Sequence, residues 1–417
     1  MILERLFSDV SPDVVKRLDG ALGGRELTAD DAARLLEAQG ADLFALLRAA
    51  DIARGEDNGD DVSFVVNRNI NFTNVCYVGC SFCGFSRHKG DHDVYDHDMQ
   101  TLIDKARNAI GRGATEVCIQ GGIHPNKDHT HYREILLALK SEFPDLHIHA
   151  FSPEEIDFGQ RKSGMELRDY LRWMMDAGLG SMPGTAAEIL HDEIRDIVSP
   201  NKLKTARWVE IIEAAHSIGL PSTSTVMYGH IETVEHVANH LALIRDIQKR
   251  TGGFTEFVPL GFIHERNILF NHMNARPGAS MPEDLRTIAV ARLFLRPWIT
   301  NIQMSWVKMG PKLAQAALMA GANDMGGTLM EESISRESGS QHGENLPAED
   351  MRRLIREVAR TPVERSTLYQ VRRRFDDPAD DPASREPPIR RDLTGPERWR
   401  LEQQRAARSP KTLRIAN

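Results

Sequence analysis

Apolar residues follow two alternating patterns along the chain. From Val62 onward, short runs rich in β-branched and apolar residues alternate with longer segments in which apolar residues recur every three or four positions. This alternation is typical of repeated β-α units around a parallel sheet. Eight β-α units at intervals of about 30 residues predict a closed (β/α) barrel of the TIM type, and a six-stranded partial barrel is the alternative. The candidate strands begin at Val62, Thr115, Leu146, Gly178, Ser222, Glu256, Asn301 and Ala322.

The two ends of the chain depart from this pattern. Residues 1–60 place leucines at helical spacing after the capping candidate Thr28 and predict a helical lead-in. Residues 61–369 are expected to form the barrel and its closing helices. Residues 370–417 are rich in Arg, Asp and Pro with few apolar side chains, so we expect a mobile or loosely docked charged tail. Interleaved acids in this tail argue against an RNA-binding arm.

Composition narrows the classes of partner. The 417 residues contain 52 Lys and Arg against 60 Asp and Glu, and the net charge of -8 argues against nucleic acid or an anionic membrane as the main partner. No apolar run approaches the roughly 20 residues that a transmembrane helix needs, and we expect a cytoplasmic protein. Three of the four cysteines are clustered, which indicates thiols available to a metal rather than a disulfide framework.

The cysteine cluster is the most informative motif. The stretch NVCYVGCSFCGF holds Cys76, Cys80 and Cys83. Three thiolates do not complete the shell of a structural zinc ion, although His88 or His92 would supply a fourth ligand, so a Cys3His zinc site is an alternative. A 4Fe-4S cluster also takes four ligands. With only three cysteines, one iron stays open to another ligand, as in a catalytic metal site.

The spacing Cys76-x3-Cys80-x2-Cys83, with Phe82 before the last cysteine, resembles the signature of radical S-adenosylmethionine (SAM) enzymes. In that superfamily three cysteines hold a 4Fe-4S cluster, and SAM chelates the open iron through its amino and carboxylate groups. One electron cleaves SAM, and the 5′-deoxyadenosyl radical abstracts hydrogen from a substrate. The resemblance implies one such cluster and an exchangeable SAM here, and it assigns Phe82 to the cofactor site.

A glycine pair after the second predicted strand fits the same resemblance. Gly121 and Gly122 stand where the superfamily carries a GGE-like motif that binds the SAM amino group through backbone carbonyls, and Ile123 replaces the acid. Glycines allow a ligand close to the main chain, although a plain strand-to-helix turn is the alternative. We assign Gln120, directly before the pair, and Glu188 to the cofactor site. Glu188 would equally serve as a helix-dipole partner.

Polar residues at predicted strand ends are the candidates for substrate contact, because barrel active sites lie at the carboxyl ends of the strands. From this set we select Tyr228, His230 and Asp324 as catalytic candidates, with Tyr228 and His230 suited to a phenol or pyrimidine proton. A histidine satisfied beside a turn glycine is the alternative for His230. The full set is Gln120, Ser152, Glu154, Tyr228, His230, Ser305 and Asp324.

Further segments narrow the resemblance to one branch of the superfamily. The chain resembles the branch that contains FO synthase and the enzymes of futalosine-dependent menaquinone synthesis. The resemblance extends from about Asp30 to Arg360 and is carried by the segments SMPGTAAEIL, EFVPLGFIHE, NIQMSWVKMG and ANDMGGTLMEE. The best match is the family of tyrosine 4-hydroxyphenyl transferases, FO synthase subunit 2. The sibling families, FO synthase subunit 1, aminofutalosine synthase and dehypoxanthine futalosine cyclase, are alternatives. A non-catalytic iron-sulfur or zinc protein that binds a partner is the alternative from another class.

This resemblance implies a reaction and its partners. Hydrogen removal from the amino group of L-tyrosine would break the Cα–Cβ bond, and the 4-hydroxybenzyl fragment would add to 5-amino-6-(D-ribitylamino)uracil in coenzyme F-420 biosynthesis. The implied partners are these two substrates, SAM, an electron donor and FO synthase subunit 1. Such a site must orient its substrates and exclude water.

Overall fold

Helices and parallel strands alternate through most of the molecule. The computed structural model describes residues 9–385. The helices are α1 (Pro12–Leu22), α2 (Ala29–Leu36), α3 (Gly40–Asn58), α4 (Met99–Gly111), α5 (His129–Glu142), α6 (Pro153–Ser163), α7 (Leu167–Asp176), α8 (Asp192–Val198), α9 (Thr205–Ser217), α10 (Val234–Thr251), α11 (Ile268–Met273), α12 (Met281–Leu295), α13 (Trp306–Leu318), α14 (Ile334–Ser338) and α15 (Ala348–Glu357). The strands are β1 (Asp61–Val65), β2 (Asn67–Asn71), β3 (Glu116–Gln120), β4 (His147–Ala150), β5 (Ser222–Tyr228), β6 (Phe254–Gly261), β7 (Asp324–Gly327), β8 (Thr361–Arg365) and β9 (Val371–Arg374).

Local sequence explains where several helices begin and end. The predicted cap at Thr28 is confirmed, because its side chain accepts a hydrogen bond from the Asp31 amide and the Asp31 carboxylate accepts one from the Thr28 amide. The same reciprocal arrangement joins Ser152 and Glu155 at the start of α6. Helix α10 ends at Gly252, whose φ of 66° is the left-handed conformation that glycine adopts without steric cost.

Within residues 9–385, regular strand pairing forms three sheets. Strands β2, β3 and β4 pair in parallel, β5 pairs in parallel with β6, and the third sheet has the order β7-β1-β8-β9. These sheets are not closed into one cylinder, so the predicted TIM-type barrel is not confirmed as such, whereas a mixed α/β fold with parallel strands is present. Isolated parallel bridges connect the sheets at His149–Ser181, Met182–Ser222, Phe257–Ile302, Gln303–Asp324 and Arg68–Met330.

The predicted strands differ from the observed ones in three places. The first predicted strand is split into β1, which pairs with β7 and β8, and β2, which pairs with β3. The segments predicted from Gly178 and Asn301 form only the isolated bridges. Strands β8 and β9 had no signal in the hydrophobic pattern. Strand β9 reads VRRR, and all four of its residues are exposed.

Residues 370–385 differ from the expected charged tail because they pack on the body of the protein. Strand β9 pairs with β8, and the Phe375 ring lies 6.2 Å from the Phe64 ring. Asp381 is 1% exposed and accepts hydrogen bonds from Arg352 Nε at 3.0 Å and Arg356 Nη2 at 3.1 Å. The remainder of the predicted tail, residues 386–417, lies outside the described residues.

The core lies between the strands and the surrounding helices. Helices α2 and α3 of the N-terminal segment pack on α12, and α2 also packs on α10. Buried leucines and alanines of α1 to α3 join the same hydrophobic cluster as β1, β5 and β6. Within residues 9–385, no helix combines the length and apolar character that crossing a bilayer requires.

Candidate active site

A cavity of about 260 Å³ lies at the carboxyl ends of β3, β4, β5 and β6. Gln120 is the last residue of β3, Ser152 follows β4, and Met227 and Leu260 come from the ends of β5 and β6. The loop after β2 closes one side of the cavity. It contributes Cys76, Cys80, Phe82 and Cys83.

The three clustered cysteines are free thiols that share this cavity. The loop that carries them is held by backbone hydrogen bonds from Cys76 N to Arg87 O at 3.0 Å and from Cys83 N to Cys80 O at 3.1 Å. Burial raises the pKa of Cys76, and it raises the pKa of Cys80 to about 12 although the Lys202 ammonium opposes the shift. Thiols in such surroundings ionise when a metal binds them, because the metal replaces the proton.

The glycine pair packs directly against the cysteine loop. A Cβ atom on Gly122 would lie 2.2 Å from Val75 O, and one on Gly121 would lie 2.5 Å from the Phe72 ring. Glu155 Oε1 accepts a hydrogen bond from Gly121 N at 3.0 Å, and its Oε2 accepts one from Ser152 N at 2.7 Å. Burial raises the pKa of Glu155 to about 7 against these donors. The end of β3 therefore approaches the cysteine loop as closely as glycine allows.

Glu188 belongs to a buried cluster of charges in the cavity wall. Its Oε1 lies 2.7 Å from Lys202 Nζ, and its Oε2 lies 3.3 Å from Arg195 Nη1. Burial alone would raise the pKa of Glu188, but the two cations outweigh it and lower the pKa. Lys202 Nζ also lies 5.4 Å from the centre of the Phe82 ring. The expected helix-dipole role is not observed, since Glu188 precedes α8 and pairs with side chains.

Two other predicted polar residues also reach the cavity and have partners there. Gln120 Nε2 donates a hydrogen bond to Thr185 Oγ1 at 2.6 Å. Glu154 Oε2 accepts one from Leu203 N at 3.0 Å, and burial raises the pKa of Glu154. Both side chains thus join β3 and the start of α6 to the loops on the opposite wall.

Tyr228 and His230, which we expected to be catalytic, lie outside the cavity lining. Tyr228 is 1% exposed and its hydroxyl donates to Asp284 Oδ1 at 2.6 Å in the first turn of α12. His230 Nδ1 accepts from Ile231 N at 2.8 Å, and Nε2 donates to Met227 O at 3.0 Å. Side chains alternate between the faces of a strand, so Thr225 and Met227 face the cavity while Tyr228 faces the helices.

Asp324, the third expected catalytic residue, is also placed elsewhere. The strand was expected from Ala322, but β7 begins at Asp324, which puts this carboxylate at the amino end of the strand. It is fully buried and binds the Arg365 guanidinium, with Nε at 2.5 Å and Nη2 at 3.0 Å, and it also accepts a hydrogen bond from Ser63. A bidentate arginine pair of this kind leaves the carboxylate no free face for substrate.

Three ionisable residues of the cavity were missed in the sequence. Glu155 accepts a hydrogen bond from the Gly121 amide, and Lys202 forms an ion pair with Glu188. Lys308 lines the cavity near Cys83, and burial lowers the pKa of its amine although Glu332 and Cys83 oppose the shift. Lys308 stands in SWVKMG, a segment that carried the family resemblance, so the motif was recognised while its lysine was not assigned.

Comparison with known proteins agrees with this arrangement. Residues 70–244 match the family model of the radical SAM superfamily, and residues 251–377 match that of the CofH/MqnC C-terminal region. The chain is similar to the solved structure of methylornithine synthase (PylB), with a TM-score of 0.66 and 19% identity over 83% of this chain and 97% of that one. At this identity the similarity concerns the fold alone.

Curated relatives share more of the sequence with this chain than that structure does. The chain is 47% identical over 344 residues to the 5-amino-6-(D-ribitylamino)uracil--L-tyrosine 4-hydroxyphenyl transferase of Methanothermobacter thermautotrophicus, covering 82% of this chain and 94% of that one. It is also 47% identical over 345 residues to the FO synthase of Mycobacterium leprae, covering 83% of this chain but 40% of that longer one. The chain therefore belongs to the radical SAM superfamily and, within it, to the family of the 5-amino-6-(D-ribitylamino)uracil--L-tyrosine 4-hydroxyphenyl transferases.

Proposed function

We propose that this protein is a radical SAM transferase that cleaves L-tyrosine between Cα and Cβ and joins the 4-hydroxybenzyl group to 5-amino-6-(D-ribitylamino)uracil in FO synthesis. The observation that carries this proposal is the set of three free cysteines that face one cavity beside the glycine pair at the end of β3. Membership of the transferase family, at 47% identity over most of the chain, selects the reaction among those of radical SAM enzymes.

The cysteine geometry fits an iron-sulfur cluster better than a single metal ion. Tetrahedral zinc with Zn–S bonds near 2.3 Å would bring its sulfurs to about 3.8 Å from one another. Among the described residues, the three cysteine sulfurs do not all come within 4.8 Å, a separation that His191, Glu193 and His236 do meet. His88 and His92, the alternative fourth ligands, are exposed and lie outside the cavity lining.

Cys76, Cys80 and Cys83 are therefore our proposed ligands of a 4Fe-4S cluster, with SAM at the remaining iron. When bound, this pair of cofactors supplies the 5′-deoxyadenosyl radical that starts the cleavage of tyrosine. The carbonyls of Gly121 and Gly122 and the side chains of Gln120, Glu188 and Phe82 would hold SAM beside the cluster. Support for this assignment comes from the close packing of the glycine pair on the cysteine loop.

The residues of the cavity wall orient the bound ligands and exclude water from the cavity. Glu155 fixes Gly121 through its amide, and Lys202 with Arg195 fixes Glu188, so the cavity wall is preorganised before ligands enter. Apolar side chains such as Val78, Ile123, Leu260 and Phe262 line the same cavity. Such a lining keeps water from reacting with radical fragments.

We also propose the finer points of architecture and partnership. The isolated parallel bridges connect the sheets in sequence order, which supports a (β/α) barrel of the TIM type. FO synthase of Mycobacterium leprae is more than twice as long as the region it shares with this chain, which supports a separate FO synthase subunit 1 as functional partner. A one-electron donor and the reducing cytoplasm remain predictions from the cofactor and the clustered thiols.

The test is anaerobic reconstitution followed by turnover. We expect wild-type protein with iron, sulfide, SAM, strong reductant, tyrosine and the ribitylaminouracil to form the coupled product, together with tyrosine-dependent 5′-deoxyadenosine. Cys76→Ala should lose labile sulfide and both products, whereas Cys118→Ala, on β3 outside the cavity lining, should retain them. Zinc without labile sulfide, or 5′-deoxyadenosine formation that ignores tyrosine, would contradict the proposal.

A further inference from the structure

Lys308 is held at the cavity by a turn with fixed ends. This turn follows the bridge at Gln303, and its backbone is closed by a hydrogen bond from Lys308 N to Ser305 O at 3.0 Å. The neighbouring Trp306 is 1% exposed, and its indole Nε1 donates to Gly327 O at 2.9 Å. The helix breaks at Gly310, so Lys308 belongs to a separate turn rather than to the long part of α13.

Among the described residues, the other lysine and glutamate side chains that line the cavity have protein partners. Glu188 and Lys202 bind each other, while Glu154 and Glu155 accept hydrogen bonds from backbone amides. Across residues 9–385, no hydrogen bond or ion pair reaches Lys308 Nζ. The charge of the Glu332 carboxylate acts on Lys308, but both Glu332 oxygens accept hydrogen bonds from the Ser335 amide at 3.1 Å.

We propose that Lys308 forms the subsite that binds the α-carboxylate of the amino-acid substrate. A carboxylate removed from water requires a charged hydrogen-bond partner, and an ammonium supplies one as a point charge. Lys202 already bonds to Glu188, and SAM directs its own carboxylate to the open iron in this superfamily. Among the described residues that line the cavity, Lys308 is thus the cation that remains for tyrosine. This inference rests on the proposed function.

The subsite would also determine which end of tyrosine faces the cysteines. The charge of Cys83 acts on Lys308, whereas the charges of Lys202 and Glu188 act on Cys80. Anchoring the carboxylate near Cys83 would leave the part of the cavity near Cys80 for SAM. The amino group, one bond from the carboxylate-bearing carbon, would then lie next to the place where hydrogen is removed.

Binding to the reconstituted holoenzyme with SAM and without reductant tests this inference. Lys308→Met should weaken tyrosine binding roughly 10- to 100-fold, the loss expected for one hydrogen bond to a charged group. Binding of tyramine, which lacks the carboxylate, and of SAM should change less than about twofold, since neither uses this subsite. Lys308→Arg should restore part of the tyrosine affinity. Lys312→Met, an exposed lysine on α13, is the matched control.

The binding measurements distinguish a subsite for the tyrosine carboxylate from other roles of Lys308. Unchanged tyrosine affinity in Lys308→Met with wild-type cluster content would overturn the assignment, and so would an equal loss for tyramine. Lost SAM affinity with intact tyrosine binding would overturn it in favour of a SAM contact. If the wild-type holoenzyme cleaves SAM but neither binds nor responds to tyrosine, the proposed function itself fails and this subsite with it.

Discussion

Lys202 Nζ lies 2.7 Å from Glu188 Oε1 in the wall of the cavity that also holds Cys80. The Glu188 side chain is 5% exposed, and Arg195 approaches its other oxygen at 3.3 Å. The backbone at Glu188 has a φ of 44°, a conformation that an L-residue keeps only when its surroundings hold it. The ion pair therefore stabilises both a buried charge and an unusual turn beside the proposed SAM site.

Removing Lys202 should destabilise the protein more than removing a surface lysine. Lys202→Met leaves Glu188 with Arg195 alone, and loss of one partner of a buried pair costs about 3 kcal/mol in the free energy of unfolding. Lys204→Met, which removes an exposed lysine paired with Asp196, is the matched control. Anaerobic urea titration measures the free energy of unfolding of both variants. Equal stability of the two variants would show that Glu188 does not depend on Lys202.

Asp284 should make stability depend on pH. Burial raises the pKa of Asp284 to about 6 from the ordinary 3.8, although the Tyr228 hydroxyl opposes the shift. The folded state then binds the proton more tightly than the unfolded state, so this contribution is complete below pH 4 and is lost as pH rises to 6. The size is on the order of 3 kcal/mol.

Asp284→Asn keeps the acceptor for Tyr228 and removes the titration. Relative to this variant, wild-type protein should lose stability between pH 4 and 6 and then stay constant, as measured by urea unfolding at each pH. Asp19→Asn changes an exposed carboxyl on α1 and should run parallel to wild type. Parallel curves for wild type and Asp284→Asn would contradict the buried, protonated state of Asp284.

The residues selected as candidate site residues show what could and could not be predicted from the sequence. Cys76, Gly121 and Glu188 line one cavity because each follows a predicted strand, and the ends of parallel strands meet; their roles stay predictions. Tyr228 lies outside this lining, and a strand pattern does not say which alternate face meets the cavity. Asp324 instead binds Arg365 on β8, a strand whose sequence gives no periodic signal.

The packing of residues 370–385 should contribute measurably to stability. Phe375 is 7% exposed and packs on Phe64, with the Arg352 and Arg373 guanidinium groups 4.7 and 4.5 Å from its ring centre. Phe375→Ala should lower the free energy of unfolding by about 3 kcal/mol, because it opens a cavity and removes both cation-π contacts. Val371→Ala, at an exposed position of β9, should change it little. An equal loss of unfolding free energy in Phe375→Ala and Val371→Ala would argue against the packing of Phe375 on Phe64.

Little in the sequence indicates this packing, because Phe375 is a single aromatic residue among charged ones. Phe375 is followed by DDPADDP, which reads as a solvated linker. The segment is ordered by contacts with Phe64 on β1 and with arginines of α15, all distant in sequence. Composition alone therefore does not distinguish the packed residues 370–385 from a solvated linker.

Gly122→Ala should separate cluster loading from folding. A Cβ at this position would lie 2.2 Å from Val75 O and 3.0 Å from the Cys76 Cβ, both on the cysteine loop. The loop must move away from β3, so Cys76 should leave its proposed ligating position, while the surrounding helices and strands remain. The expected result is lower iron and labile sulfide per chain after anaerobic reconstitution, with a stability loss of about 1–3 kcal/mol.

Gly90→Ala is the control, because a Cβ there meets no atom within 4 Å. Full cluster content in Gly122→Ala would mean that the cysteine loop tolerates displacement from β3, and the close packing at Gly122 would then matter for SAM rather than for the cluster.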